Sequence, residues 1–382
     1  MNIQPEESLL WKYVKNQCSI SEIEQINLWL NENPLAKSKL NRFKLYESLN
    51  EKVESFSEDF FIHSIFSKEF NFEEISLKLF QYQAKNNCVY QEYLDLLKIN
   101  TNTISSILDI PFLPIEFFKS REVKTGNWNE EIVFQSSGTT AAVRANHYVK
   151  DLTIYEQSII NGIQWIDQPL DEYAIIAFLP NYYENKNSSL LYMVNYLMQN
   201  LMRKDGSKFI HESNELSLFL SKTTKKLILF GVSFALLDFV ERNQGFENEL
   251  IIIETGGMKS LSSDLNKDEL LAKLIHSFPK AKIYSEFGMT EMLSQAYTDV
   301  NSTKFHCSST MKVLVNDESS PLESLRYTGR GRLNIVDLCN IHSCAFLQTG
   351  DGGEVHADGT FTVHGRILNH DIRGCHQLME DL

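Results

Sequence analysis

Long apolar runs are missing from this chain of 382 residues. A membrane-spanning helix needs about 20 consecutive apolar residues. The longest candidate, residues 173–179, is long enough only for one buried strand. The first residues carry acids where a secretory signal would have a basic segment and an apolar core. We therefore expect no membrane span and a cytoplasmic location.

Positive charge is also scarce. Lys and Arg number 36 against 50 Asp and Glu, which gives a formal net charge of −14. Proteins that bind the phosphate backbone of DNA or RNA usually present a basic surface. The charge balance therefore argues against a nucleic-acid partner.

Cysteines, six in the whole chain, are too few for a disulfide scaffold. Five residues could supply zinc ligands, although their spacing matches no familiar finger or ribbon: His306, Cys307, Cys339, His342 and Cys344. The alternative is that Cys339 and Cys344 are reduced thiols that alternate with apolar residues on neighbouring strands.

The chain has ample material for a core, with 43% hydrophobic and 11% aromatic residues. Helical spacing predicts a helical extension over residues 1–68, with its third helix at 35–49. Two further helices should be divided at residues 86–87. The segment 110–119 contains two prolines, so it predicts an extended, buried connector rather than a regular helix.

Residues 69–310 alternate strand-like and helical patterns, which is typical of an α/β domain with layered, largely parallel sheets. The predicted strands are 132–134, 174–179, 227–230, 251–253 and 282–284, and the predicted helices lie near 152–166, 188–202, 233–243 and 264–277. Residues 311–366 predict a small β-rich subdomain with strands at 312–315, 331–336, 345–347, 353–356 and 361–363. Residues 367–382 form a short C-terminal tail that carries Cys375.

A glycine- and hydroxyl-rich turn directly follows the first of these α/β strands: Ser136, Ser137, Gly138, Thr139 and Thr140. Glycine permits a tight bend, and each amide or hydroxyl can donate a hydrogen bond to a phosphate oxygen. The turn therefore predicts a phosphate site, although a solvated loop could have the same composition.

Three further motifs follow later in the chain. Residues 284–291, YSEFGMTE, offer an aromatic face for a base, a hydroxyl for a phosphate and a carboxylate for magnesium. Residues 348–351, QTGD, are expected to end a strand in a tight turn whose acid suits the hydroxyls of a ribose. Residues 365–366 and 371–374, GR and DIRG, place a cation and an acid on a predicted hinge.

In this order the four motifs resemble those of the adenylate-forming superfamily, whose members make an acyl-AMP from ATP and a carboxylate. The resemblance implies an α/β fold with a large N-terminal domain. The phosphate loop of that superfamily usually ends Thr-Thr-Gly-x-Pro-Lys, whereas residues 139–144 here read TTAAVR. The cation is kept as Arg144, while the glycine and the proline are lost.

The resemblance implies ATP and Mg²⁺ as cofactors and gives each site residue a role. The residues expected to hold the β- and γ-phosphates are Ser136, Ser137, Gly138, Thr139, Thr140 and Arg144. Thr290 would contact the α-phosphate, and Glu291 would bind Mg²⁺. The residues expected around adenine and ribose are Gly256, Gly257, Tyr284, Asp351 and Arg366.

Over about residues 70–382 the sequence is similar to the acyl-protein synthetase subunit of the bacterial luminescence fatty acid reductase. The segments that carry this similarity are PFLPIEFFK at 111–119, SSL at 188–190, ETGGMK at 254–259, TGRGR at 328–332 and IRGC at 372–375. In that family a cysteine near the carboxy terminus receives the acyl group from acyl-AMP, and Cys375 stands at the matching position. Arg373 and His376 beside it could lower the pKa of its thiol.

CoA ligases of the superfamily continue beyond the hinge into a mobile lid domain with a catalytic lysine. This chain ends at Leu382, so we expect the lid domain to be absent or vestigial and its lysine to be missing. Lys259 is the candidate replacement, although a solvated surface lysine would look the same. The expected catalytic residues are therefore Cys375, Lys259 and Thr290.

Three functions remain open on this basis. The first is ATP-dependent activation of a carboxylic acid, expected to be a fatty acid, then transfer to Cys375 and onward to a partner such as a reductase or transferase. The second is an aryl- or acyl-CoA ligase resembling phenylacetate-CoA ligase, and the third is an inactive nucleotide-binding scaffold. Residues that could line an acyl pocket, or equally an ordinary core, are Tyr182, Tyr183, Tyr192, Met193 and Phe230.

Overall fold

The structure is a computed structural model. It describes residues 7–14, 17–32, 40, 57–136, 143–166, 168–180, 187–202, 204–243, 245–256, 267–318 and 324–367, and all structural statements below concern these residues. The predicted helix at 35–49 lies outside them except for Leu40.

The amino-terminal part is helical, as the sequence predicts. Helices α1 (Glu7–Val14) and α2 (Ile20–Glu32) pack through Leu10 and Trp29. They are followed in the chain by α3 (Glu58–Ile65), α4 (Phe72–Asn86) and α5 (Cys88–Leu96). The predicted break at residues 86–87 is confirmed, because the Asn87 side chain accepts a hydrogen bond from the amide of Tyr90 and so caps α5.

The proline-containing connector combines extended and helical backbone. Strand β1 (Leu113–Pro114) confirms the expected extended segment. The one-turn helix α6 (Phe117–Ser120) follows it, so the expectation of extended chain throughout 110–119 was wrong there. Both prolines precede this helix, and its residues Phe117 and Phe118 are buried in the core.

The α/β part alternates strands and helices as predicted. A hairpin of β2 (Ile132–Gln135) and β3 (Asn146–Val149) comes first. The elements that follow are α7 (Leu152–Ile163), β4 (Ala174–Phe178), α8 (Ser189–Asn200), β5 (Lys208–Ile210), α9 (Ser213–Lys222), β6 (Leu227–Val232), α10 (Ser233–Arg242), β7 (Leu250–Thr255), α11 (Lys267–Ser277) and β8 (Lys282–Phe287). Strands β3 and β5 and helix α9 were not anticipated.

Strands β5, β4, β6, β7 and β8 lie side by side in that order, and all are parallel. Every residue of β4, β6 and β7 is buried. Burial on both faces is typical of parallel sheets covered by helices. The predicted α/β fold class is confirmed.

The sheet continues with antiparallel strands. These are β9 (Ala296–Thr298), β10 (Phe305–Cys307), β11 (Met311–Asn316), β12 (Gly329–Asp337), β13 (Phe346–Val355) and β14 (Phe361–Arg366). From β8 the order is β9, β10, β14, β13, β12 and β11, and β1 pairs with β13. Pairing of β10 with β14 joins the two parts into one sheet of twelve described strands. The domain boundaries expected from the sequence stay predictions.

The motif QTGD was expected to form a turn, but residues 348–351 lie inside the continuous strand β13. The prediction of two separate strands, at 345–347 and 353–356, was therefore wrong. Glycines suggested the turn, whereas Gly353 permits a close approach of β13 and β14, because a side chain there would overlap the carbonyl of Thr362 in β14.

None of the helices among the described residues has the length and apolar character needed to cross a bilayer.

Candidate active site

Three of the expected site residues lie at the edge where the parallel strands end. Strands of a parallel sheet have their carboxyl ends at one edge, which is where ligands bind in open α/β sheets. Gly256 directly follows β7 and has a φ of 95°, a conformation suited to glycine. Strand β8 ends before the turn formed by residues 288–291, which carries Thr290 and Glu291.

Tyr284 lies further back along β8. It is opposite Ile253 of β7 and only 5% exposed, so its ring is part of the interior. Phe287, the last residue of the same strand, is half-buried and stands closer to the edge. The structure thus offers two aromatic residues of β8 at different depths.

The predicted phosphate loop begins directly after β2, in the connection that leads from β2 to β3. The Ser136 amide donates to the carbonyl of Ala145 at 3.1 Å, and the Ala145 amide donates to the Ser136 hydroxyl oxygen at 3.0 Å. These two bonds close the stem, and Arg144 precedes Ala145. The residues Ser137, Gly138, Thr139 and Thr140 lie outside the described part of the chain.

The hairpin and the 288–291 turn are joined by a hydrogen bond. His147 on β3 places Nδ1 2.8 Å from the carbonyl oxygen of Thr290. His147 is 1% exposed, and this burial lowers the pKa of its imidazole to about 4. The neighbouring carbonyl of the turn is held as well, because Asn340 donates from Nδ2 to the carbonyl of Glu291 at 2.9 Å. Two expected site elements, far apart in sequence, therefore meet.

A buried acid that the sequence analysis missed lies next to this turn. Glu286 of β8 is 5% exposed and accepts a hydrogen bond from the hydroxyl of Thr255 on β7. Burial raises the pKa of the Glu286 carboxyl to about 7, and the Thr255 hydrogen bond opposes that rise. A side chain at Gly288 would come within 2.6 Å of Glu286 Oε1, so the glycine leaves room for the acid.

A second buried acid, Glu254, precedes Thr255 on β7. It forms an ion pair with Lys267 at the start of α11, with Nζ 2.6 Å from Oε2. The hydroxyl of Ser233, the first residue of α10, also donates to Glu254. An acid that ends an all-apolar run, as in residues 250–254, is the sequence signal that could have revealed it.

Asp351 and Arg366 are brought together as expected for a common site. They are cross-strand partners in β13 and β14, with Arg366 Nε 3.1 Å from Asp351 Oδ1. Strands β14, β10 and β9 separate β13 from β8. The ring of Phe287 nevertheless contacts that of Phe361 on β14, with centroids 5.3 Å apart, so the end of β8 packs against the strand that carries Arg366.

Glu291 fits the role of a magnesium ligand by its chemistry. Mg²⁺ is commonly bound through one or two carboxylates together with substrate phosphates.

The five candidate zinc ligands do not form a metal site. Among the described residues, no group of three His, Cys, Asp or Glu side chains is placed to hold a metal ion. Cys339 and Cys344 are buried in the connection between β12 and β13, not on the strands as expected.

The structure describes only some of the remaining expected residues. Gly257, Lys259, Cys375, Tyr182 and Tyr183 lie outside the described residues. Of the possible acyl-pocket residues, Met193 and Phe230 are buried in the core. Tyr192 is half-buried, and its hydroxyl donates to Glu156 at 2.6 Å.

A family model described as acyl-protein synthetase, LuxE, matches residues 40–382, which extends the similarity beyond the segment expected from the motifs. No curated protein sequence matches the chain.

Solved structures with a similar fold include two of 2-hydroxyisobutyryl-CoA ligase. In complex with 2-HIB-AMP and CoA, that enzyme is 14% identical with a TM-score of 0.58, over 84% of this chain and 71% of that chain. In its postadenylation state with R3-HIB-AMP, the values are 13% and 0.56, over 77% and 68%. At such identities the similarity concerns the fold, which is that of the adenylate-forming ligases.

Proposed function

Because the chain belongs to the LuxE family of acyl-protein synthetases and is therefore an ATP-dependent ligase that activates an acid, we propose that it transfers a fatty acyl group from acyl-AMP to Cys375. The acyl group would then pass from this thioester to an acceptor protein. The observation that supports the proposed ATP site is the hydrogen bond between His147 and Thr290. It holds the β2–β3 hairpin, from which the predicted phosphate loop starts, beside the 288–291 turn.

In the first half-reaction a carboxylate oxygen of the acid attacks the α-phosphorus of ATP. The bond from that phosphorus to the bridging oxygen breaks, and pyrophosphate leaves. The barrier is lowered mainly by positioning and by neutralising charge on the phosphates. In our proposal the loop 136–140 and Arg144 hold the β- and γ-phosphates, and Thr290 contacts the α-phosphate.

Mg²⁺, when bound with ATP, supplies positive charge to the phosphate oxygens. Glu291 is the carboxylate that would hold it, and the Asn340 bond to the Glu291 carbonyl fixes the backbone from which this side chain extends. Lys259 remains the candidate for a further cation at the α-phosphate.

The nucleoside part of ATP would lie across the end of the sheet. The ion pair with Arg366 uses Oδ1 of Asp351 and thereby fixes the direction of its second oxygen, which suits a ribose hydroxyl. Gly256 with Gly257 would allow the backbone to approach adenine. Tyr284 was the residue expected to cover the base, but its ring is part of the interior, so in our proposal the half-buried Phe287 at the end of the same strand contacts adenine instead.

In the second half-reaction the sulfur of Cys375 attacks the acyl carbonyl carbon. The bond from this carbon to the AMP oxygen breaks, AMP leaves, and the thiol proton is released. The attacking species is a thiolate, so the cysteine must ionise near neutral pH. Burial raises the pKa of the Cys339 and Cys344 thiols to about 12, so these two thiols stay protonated at neutral pH.

Acylation of the purified protein tests the proposal. The protein is incubated with ATP, Mg²⁺ and a panel of fatty and aryl acids, and its intact mass is measured before and after hydroxylamine. We expect a hydroxylamine-labile acyl adduct that is lost in Cys375→Ser. The matched control is Cys88→Ser, because Cys88 is the exposed cysteine of the described residues and should not be needed.

The alternatives give different results in the same experiment. AMP release that requires CoA and is unaffected by Cys375→Ser would establish a CoA ligase. No adduct and no AMP with any acid, with or without CoA, would leave the nucleotide-binding scaffold. An adduct that forms only with aryl acids would keep the transfer to Cys375 and replace the fatty substrate.

A further inference from the structure

The stem of the phosphate hairpin turns one face toward the interior. Ala145 directly before β3 and His147 and Val149 on it are alternate residues, and they are 1%, 1% and 3% exposed. Alternate residues of a strand point to the same side. The side chain of His147 therefore points to the same side of the hairpin as that of Ala145. The two hydrogen bonds between Ala145 and Ser136 mark the place where the predicted phosphate loop begins.

The partner of His147 is a backbone carbonyl of the 288–291 turn, the oxygen of Thr290. A carbonyl oxygen only accepts hydrogen bonds, so Nδ1 of His147 must carry the hydrogen. The bond spans 143 residues of sequence at 2.8 Å. Because the imidazole is buried and neutral, the bond persists without a change of charge across the neutral pH range.

The histidine also packs against an aromatic residue. Its ring meets that of Phe118 edge-on, with centroids 5.8 Å apart. A nonpolar side chain of similar size could supply this packing, but it could not supply the N–H. Loss of the donor would leave the Thr290 carbonyl without this partner at the position where the turn meets the hairpin.

We propose that His147 is a positioning residue for acid adenylation, which couples the stem of the β2–β3 hairpin to the turn that carries Thr290 and Glu291. The Nδ1–H bond fixes the Thr290 backbone relative to this stem, where Ser136 and Arg144 flank the predicted phosphate loop. Asn340 holds the next carbonyl of the turn, that of Glu291. The inference rests on the placement of ATP given above.

A pair of variants of nearly equal size separates the hydrogen bond from packing. His147→Asn keeps an N–H donor close to the position of Nδ1, and His147→Leu removes it. ATP–pyrophosphate exchange, which reports adenylation alone and needs no acyl transfer to Cys375, is measured as a function of ATP concentration. Misplacement of reacting groups by about 1 Å can slow a reaction about 100-fold.

We expect His147→Leu to lower kcat/KM for ATP by about 100-fold, with a clear rise in KM for ATP and no change in KM for the acid. His147→Asn should restore kcat/KM to within about 5-fold of the wild type. Tyr148→Leu, on the other face of the same strand, serves as the control for general damage to the hairpin.

Equal losses in the asparagine and leucine variants, or wild-type exchange in both, would overturn the positioning role. If His147→Leu does not fold, His147→Val replaces it, because strands tolerate β-branched residues. A wild-type protein that exchanges pyrophosphate but never forms an adduct on Cys375 would refute the proposed acyl transfer and leave the role of His147 intact.

Discussion

Replacement of the buried acid Glu286 by glutamine should stabilise the protein at alkaline pH. The carboxyl lies inside the sheet, 5% exposed, with the Thr255 hydroxyl as a hydrogen-bond donor. Its pKa is about 7 in the folded protein against 4.5 for an ordinary Glu. Glutamine has nearly the same shape and keeps an oxygen for Thr255, but it carries no charge.

The sign of the effect follows from the raised pKa. Below pH 4.5 the acid is protonated in both the folded and the unfolded chain, so it has no effect on stability. Between pH 4.5 and 7 the unfolded chain releases the proton and the folded protein retains it, so stability falls as the pH rises. Each tenfold difference in acidity is worth about 1.4 kcal/mol, so above pH 7 the full penalty is about 3 kcal/mol.

Urea unfolding at a series of pH values from 5 to 9 measures this difference. We expect the free energy of unfolding of Glu286→Gln to gain about 3 kcal/mol relative to the wild type between the acidic and the alkaline end of the series. The exposed Glu212→Gln serves as the control and should show no such trend. A difference between Glu286→Gln and the wild type that is constant with pH would refute a raised pKa.

Three other substitutions test the packing that supports the site. Gly331→Ala in β12 would force a methyl group into the carbonyl of Asn316 in β11, and it should lower the melting temperature by several degrees through a loss of about 2 kcal/mol. Lys267→Met would leave Glu254 buried without its cation, so urea unfolding should show a loss of about 3 kcal/mol, which Glu254→Gln in the same chain would largely restore. Asp337→Ala would remove the acceptor of four buried hydrogen bonds; we expect a loss of about 3 kcal/mol in urea unfolding, and wild-type stability would show that these bonds contribute nothing net.

The parallel part of the sheet could be predicted because its central strands are nearly unbroken runs of apolar residues in the sequence. Strands β4, β6 and β7 are buried on both faces, so almost every residue in them is apolar. The helices between them show the 3.6-residue spacing of one buried face. Local sequence therefore carries enough information for both kinds of element.

The short strands could not be found in this way. Strands β5, β9 and β10 have three residues each, too few for a periodic pattern. Their backbone geometry is set by neighbours: each residue of β10, for example, pairs with a residue of β9. The motif QTGD was misassigned for a related reason: its glycine suggested a turn, but residues 348–351 take strand geometry from their place in β13, between β12 and β14.

The candidate site shows the same difference between features that local sequence reveals and features that depend on distant residues. Residues expected to touch ATP occur in short motifs, so the sequence places Ser136 directly after β2 and Thr290 in the turn after β8 before any contact is known, whereas Asp351 lies inside β13 and not in the expected turn. The groups that hold these motifs together are single residues far away in the chain. His147 is 143 positions from Thr290, and nothing near either residue in the sequence connects them.

Gly288 shows that even a local motif contains information that only the structure makes visible. In YSEFGMTE a glycine next to a hydroxyl and an acid suggests room for a nucleotide. The structure gives it a second role, because a side chain at Gly288 would come within 2.6 Å of Glu286 Oε1. The glycine and the buried acid two positions before it therefore constrain each other. Any replacement of Gly288 should disturb Glu286 as well as the ligand, so the two effects can be separated only if Gly288→Ala is compared in the wild-type and the Glu286→Gln background.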